Sequence, residues 1–265
     1  MKFSTTALAA GMAGLILTLS MPATATVVLV KTSLGNFEVN LFDQTTPLTV
    51  TNFLTYVNNG NYNNALIHRS LPGFVMQGGG FQYSGNNTAP FTATAVLSPV
   101  KNEPIYSNLR GTIAMAKQSG KPDSATNQWF INLADNSQNL DTQNSGFTVF
   151  GQVIGNGMEI VDAIAKLPTD LAPGFAEVPL RNYTAADVQA KRPVAAANLV
   201  YIESISVINN DPASAAALKP VRNTLINQQK PDQSSSSGGS FGWFSLLTIS
   251  AFAFWRRQPL KPRPL

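Results

Sequence analysis

Cysteine is absent from this 265-residue chain, and histidine occurs once, as His68. Without cysteine there is no disulfide, no thiolate nucleophile and no cysteine-based metal site. A single histidine excludes any site built on two imidazole ligands and leaves room for at most one His-centred triad. Charge is also sparse, at 12% of residues, and unevenly spread. Residues 26–211 hold ten Lys/Arg against thirteen Asp/Glu, a net of −3. Residues 212–265 hold seven against one, and Lys2 completes the formal +4. The basic character therefore belongs to the ends, and the mildly acidic middle lacks the clustered cations that phosphate contacts need. Nucleic acid is not an expected partner.

Long apolar runs occur only near the two ends. Lys2, the apolar or small run Ala7–Leu19 and the tripeptide Ala23-Thr24-Ala25 have the order of a signal peptide with its cleavage site. The domain is then expected over 26–209. Residues 210–237 are rich in Asp, Pro, Asn, Gln and finally Ser, the composition of a flexible linker. Gly238-Gly239, the apolar run Phe241–Trp255 and the basic residues Arg256, Arg257, Lys261 and Arg263 follow. That run is short beside the roughly 20 residues of a bilayer span. The basic end would stay cytoplasmic, with the domain outside.

Inside the domain, Val27–Val30 and the alternating Phe37, Val39 and Leu41 read as strands, with Gly35-Asn36 as the hairpin turn between them. Thr46 and Pro47 open a helix whose apolar face is Val50, Phe53, Leu54 and Val57, and Gly60 lies past its end. A second helix is expected over Met158–Leu167, faced by Ile160, Val161, Ile164 and Leu167. Short strands are expected around Leu66–Arg69, Phe74–Gln77, Thr112–Lys117, Gln128–Leu133 and Phe147–Val153. A last one spans Asn198–Ile208, with Val200, Ile202, Ile205 and Val207 apolar, and Thr184 caps a short helix over Ala185–Lys191. Many short strands with two long helices indicate a closed β-barrel whose ends the helices cover.

Four separated stretches carry the chemistry. The first is Ile67-His68-Arg69-Ser70-Leu71-Pro72-Gly73-Phe74-Val75-Met76-Gln77-Gly78-Gly79-Gly80. The second is Gly111-Thr112-Ile113-Ala114-Met115-Ala116, the third Asn127-Gln128-Trp129-Phe130-Ile131-Asn132, and the fourth Phe147-Thr148-Val149-Phe150-Gly151. In this order they resemble the cyclophilins, peptidyl-prolyl cis/trans isomerases, and most of all the bacterial periplasmic type. The resemblance covers about residues 27–208. It implies a mostly β fold, a closed eight-stranded antiparallel barrel capped by two α-helices, acting on proline-containing polypeptides.

Rotation about an X-Pro bond breaks no covalent bond, so the reaction needs no nucleophile, metal or cofactor. Amide resonance sets a barrier of about 18–20 kcal/mol. In the twisted transition state the proline nitrogen becomes pyramidal and exposes a lone pair. A guanidinium bonded there stabilises the twisted form more than either planar one. The resemblance gives Arg69 that role, with Gln77 holding the substrate carbonyl and orienting Arg69, and Gln128 supporting the same polar wall. Phe74, Phe130 and Leu140 line the proline slot, Ala116 offers a backbone edge, and Val75, Lys117 and Phe147 complete the substrate-binding rim. His68 precedes Arg69 and is expected on the opposite face of its strand.

Some positions depart from the family pattern. Val75 stands where Met is common, Lys117 where Asn is, Asn139 in place of a bulky aromatic, and Phe147 in place of His or Tyr. Asn139 bears on cyclosporin sensitivity more than on catalysis. Residues 171–197 form a longer segment than compact members have, with no function assigned. The C-terminal pattern resembles a GlyGly-type sorting tail, cut near Gly238 and Gly239 after membrane insertion, with tail anchoring in the inner membrane as the alternative. The expected location is outside the cytoplasm, in the periplasm or at the cell surface.

Overall fold

The computed structural model describes residues 26–211, 214 and 218–228. The signal-peptide stretch and Gly238-Gly239 with the apolar run after them lie outside the described residues. In chain order the elements are β1 (Val27–Thr32), β2 (Gly35–Leu41), α1 (Pro47–Asn58), β3 (Ala65–Leu71), β4 (Val75–Gly78), β5 (Phe81–Tyr83) and β6 (Phe91–Ala93). Then follow β7 (Thr112–Met115), β8 (Trp129–Asn132), α2 (Ser137–Leu140), β9 (Val149–Ile154), α3 (Gly157–Ala165), α4 (Ala185–Gln189) and β10 (Tyr201–Asn209). Eight strands close a barrel in the order β1-β10-β3-β4-β8-β7-β9-β2, each pair antiparallel, and β5 and β6 form a separate hairpin.

Period-two alternation sends Val28, Val30, Phe37, Val39, Ile67, Met76, Ile113, Ile131 and Ile202 into the barrel, where they are buried. The apolar faces of α1 (Val50, Phe53, Val57) and α3 (Val161, Ile164) join the same core. Leu54, Ile160 and Leu167 pack at its margin, and Val207 is exposed where β10 runs past the core.

The first hairpin turns two residues earlier than expected. Thr32 pairs with Gly35, so Ser33-Leu34 form the turn and Gly35-Asn36 already belong to β2. Gly35 has φ +127°, which favours glycine, and a Cβ there would also come 2.7 Å from Cδ1 of Ile160 on α3. Thr46 precedes α1 as anticipated, but its hydroxyl donates to the Phe42 carbonyl. The helix amides are capped by Glu103, whose carboxylate accepts from Leu48 N (3.3 Å), Thr49 N (2.9 Å) and Thr49 Oγ1 (2.7 Å). At the far end Gly60 N bonds Val57 O and Asn61 N bonds Tyr56 O, with Gly60 at φ +67°, a Schellman stop.

Two segments outside the barrel are more ordered than their composition foretells. Phe175, Val178, Leu180, Tyr183, Val194 and Leu199 bury themselves against Leu66 on the outside of β3. The long 171–197 segment is therefore a small second core, with α4 inside it capped as expected by the Thr184–Asp187 pair. Residues 218–228 were assigned to the linker but are docked. Ser107 N bonds Val221 O and Asn223 N bonds Ile105 O, both at 2.9 Å, and Asn223 Nδ2 donates to Asp141 O at 2.8 Å. Backbone pairing and one buried Asn hold this strap, a signal that composition does not register.

Candidate active site

The barrel's outer face between β3 and β9 carries a row of paired residues. Arg69 faces Gln77, Gln77 faces Phe130, and Phe130 faces Ala114 across successive strands. Their side chains share one face because directly opposed residues in a sheet do. Arg69 reaches this row through a bulge. Ile67 points into the barrel, so strict alternation would send Arg69 inward too. The register shifts between Ile67 and Arg69, with His68 as the extra residue, and this returns Arg69 to the outside.

Arg69, Phe74, Val75, Gln77, Phe130, Leu140, Gln143 and Phe147 line one groove. It unites both residues expected as catalytic with five of the expected wall residues, while Ala116, Lys117 and Gln128 do not line it. Phe74 sits after the Pro72-Gly73 turn, and its carbonyl is held by Leu133 N at 2.8 Å and Asn136 Nδ2 at 2.9 Å. The Phe130 and Phe147 rings meet edge to face, 5.8 Å apart at 72°. Gln143 was missed by sequence reasoning. Its one signal was a place between Leu140 and Phe147, both already named.

The polar wall is wired differently from expectation. Gln77 makes no hydrogen bond to Arg69; its Nε2 donates to Gln128 Oε1 at 2.8 Å. Gln77 Oε1 is buried without a protein partner among the described residues, an acceptor left over in a dry wall. Arg69 Nε instead donates to Glu177 Oε2 at 2.5 Å. Gln128 lies flat on Gly80: a Cβ there would sit 2.5 Å from Gln128 Cδ.

Lys117, expected on the substrate rim, lies behind the wall. It is 4% exposed, and its Nζ donates to the carbonyls of Asn144 (2.8 Å) and Gly146 (2.6 Å). Burial pushes its pKa down to about 8, with the Asp123 charge acting the other way. Ala116 is buried in the same wall, its amide bonded to Gln128 O. His68 stays clear of the barrel interior and packs edge-on to Phe81 at 4.9 Å. Burial, aided by the Arg69 charge, holds its pKa down to about 4 against the opposing Leu66 carbonyl and Gln128 amide, so it is neutral at pH 7. No group of three or more His, Asp or Glu among the described residues is arranged to hold a metal ion.

Residues 27–189 match the model of the cyclophilin type peptidyl-prolyl cis-trans isomerase family. The chain belongs to the cyclophilins. It is 42% identical over 169 residues to a peptidyl-prolyl cis-trans isomerase of Acinetobacter baylyi, covering 63% of this chain and 86% of that one. It is 46% identical over 180 residues to peptidyl-prolyl cis-trans isomerase A of Dickeya dadantii, covering 65% and 90%. Isomerase B of Escherichia coli shares 38% over 154 residues, covering 56% and 89%. The fold is that of a cyclophilin from Cryptosporidium parvum, at a TM-score of 0.50 and 21% identity over 70% of this chain and 99% of that one.

This cyclophilin is therefore a peptidyl-prolyl cis-trans isomerase. The groove suits that chemistry: an apolar slot for a proline ring lies beside a guanidinium and a buried amide, and nothing in the row is a nucleophile. Such a wall has the chemistry to bond a twisted amide better than a planar one.

Proposed function

We propose that the isomerase works on proteins folding outside the cytoplasm, with Arg69 as its catalytic residue. The observation that carries the mechanism is the in-register row Arg69, Gln77, Phe130, with the cation beside the aromatic slot. A substrate proline seats on Phe130, between Phe74, Leu140 and Phe147. The Arg69 Nη groups bond the nitrogen as it becomes pyramidal, and Gln77 holds the carbonyl before it. Val75 and the backbone near Ala116 bound the peptide, while Gln128 fixes Gln77.

Removing a preorganised donor of this kind costs about 10²–10³ in rate. Arg69→Ala should therefore abolish most of the catalysed exchange of an X-Pro peptide measured by NMR, while folding cooperatively. An unchanged exchange rate would remove Arg69 from the mechanism.

The extracytoplasmic setting is supported by the order of features at the two ends. Residues 1–25 read as a signal peptide, and Gly238-Gly239, an apolar run and Arg256-Arg257 read as a sorting tail. On this reading the enzyme is tethered at the inner membrane, then released toward the surface by cleavage near Gly239. Mass spectrometry of the native protein tests both ends. A first residue near Thr26 and a last residue near Gly239 are expected, and a retained Leu265 would favour anchoring.

A further inference from the structure

The barrel alone leaves the orientation of Arg69 undetermined, because Gln77, its cross-strand neighbour, makes no hydrogen bond to it and donates instead to Gln128. The guanidinium makes one hydrogen bond to the described residues, from Nε to Glu177. Both Nη groups are left for the groove. A charge-assisted bond at Nε restrains both the plane of a guanidinium and its swing toward solvent. The Arg69 side chain is 12% exposed and that of its partner Glu177 40%.

Glu177 comes from the 171–197 segment, and its placement is enforced from several sides. Its carbonyl accepts from Ser70 N at 2.7 Å, the strand residue next to Arg69. Its own amide donates to Asp170 Oδ1 at 2.9 Å. Phe175 and Val178, which bracket it, are fully buried in the second core. Its backbone lies at φ +59°, the left-handed region, where Gly or Asn would sit at lower cost. A Glu kept in that conformation points to a role for its side chain.

We propose that Glu177 is a positioning residue for catalysis: it orients the Arg69 guanidinium so that both Nη groups address the isomerising amide. The 171–197 segment thus supplies the anionic partner of the catalytic cation. The inference rests on the catalytic reading of Arg69, and the experiment separates the two. Glu177→Gly suits the left-handed backbone and keeps the Ser70 bond while deleting the carboxylate. It should lower catalysed X-Pro exchange about tenfold, with the peptide's dissociation constant changed less than about twofold. Glu177→Gln, which keeps an acceptor for Nε, should recover part of that loss.

In the Arg69→Ala background, Glu177→Gly should have no further effect, because coupled residues are non-additive. Equal losses in both backgrounds would mean a merely structural role and overturn the proposal. So would full activity of Glu177→Gly while Arg69→Ala is impaired. Full activity of Arg69→Ala would sink the catalytic reading itself, and this proposal with it.

Discussion

The Lys117 ammonium lies 4.8 Å from the centroid of the Phe147 ring while bonding the carbonyls of Asn144 and Gly146. One buried side chain thus holds both the loop before Phe147 and the back of the ring that lines the groove. Lys117→Met fills much of the same space and leaves the part-buried Asn144 carbonyl without its donor, while the Gly146 carbonyl keeps Asn102 Nδ2 at 2.8 Å. A buried acceptor left unpaired costs about 1–3 kcal/mol. We expect a lower urea midpoint and weaker binding of a proline peptide, since Phe147 loses its backing. Unchanged peptide affinity would show that the ring is fixed by Phe130 alone.

Gly80 supports the polar wall by what it lacks. Its backbone is outside the left-handed region, so alanine is conformationally acceptable there. The new Cβ would collide with the Gln128 side chain, which can swing aside but then releases Gln77. Gly80→Ala should stay folded and lose about tenfold in catalysed exchange, roughly 1.4 kcal/mol of transition-state bonding. Full activity would mean that Gln77 needs no help from Gln128.

His68 makes stability depend on pH. Its folded pKa of about 4 lies below the ordinary value of 6.5. Between those values the unfolded chain takes up a proton that the native state refuses. Stability is thus fully present above about pH 6.5 and lost as pH falls toward 4, by roughly 3 kcal/mol at most. Urea midpoints measured from pH 7 to pH 4 should fall, and His68→Phe should flatten that limb. Asp135 and Asp187, held below the usual carboxylate range by hydrogen bonds from Ser137 and Thr184, act at lower pH. An equally steep limb in the variant would assign the effect to other groups.

The strap over residues 218–228 gives a fourth test. Asn223 is buried, donates to Asp141 O and accepts from Ile226 N. Asn223→Ala removes both bonds and should cost about 1–2 kcal/mol. Hydrogen exchange should quicken at the Ser107 amide, which bonds Val221 O. If that amide remains as protected as in the wild type, the strap is held by Leu218 and its backbone pairs.

The barrel was legible because its signals are local. Alternation in Phe37-Glu38-Val39-Asn40-Leu41 and the helical spacing of Val50, Phe53 and Val57 are periodicities of neighbouring residues. Four motifs in order sufficed for Arg69, Phe74, Gln77 and Phe130. The hairpin turn was misread because glycine marks turns in general, whereas Gly35 opens β2 at φ +127° with Ile160 packed close to it. Lys117 was placed on the rim by the resemblance, because it follows the second motif where the family carries Asn. Two backbone carbonyls at its tip are what make its burial tolerable.

The sequence by itself determined the eight barrel strands, the two main helices, the family and the groove's central residues, but not the β5–β6 hairpin. Tertiary structure alone decided what holds them. Glu177 lies 108 residues from Arg69, and Glu103 lies 54 residues from Thr49, whose helix it caps. Neither carboxylate bears any local mark of its partner. Periodicity reports which face of an element is buried, but a contact between distant segments depends on how their loops close and pack. Arg69 itself reaches the groove only because a bulge at His68 resets an alternation that would have turned it into the barrel.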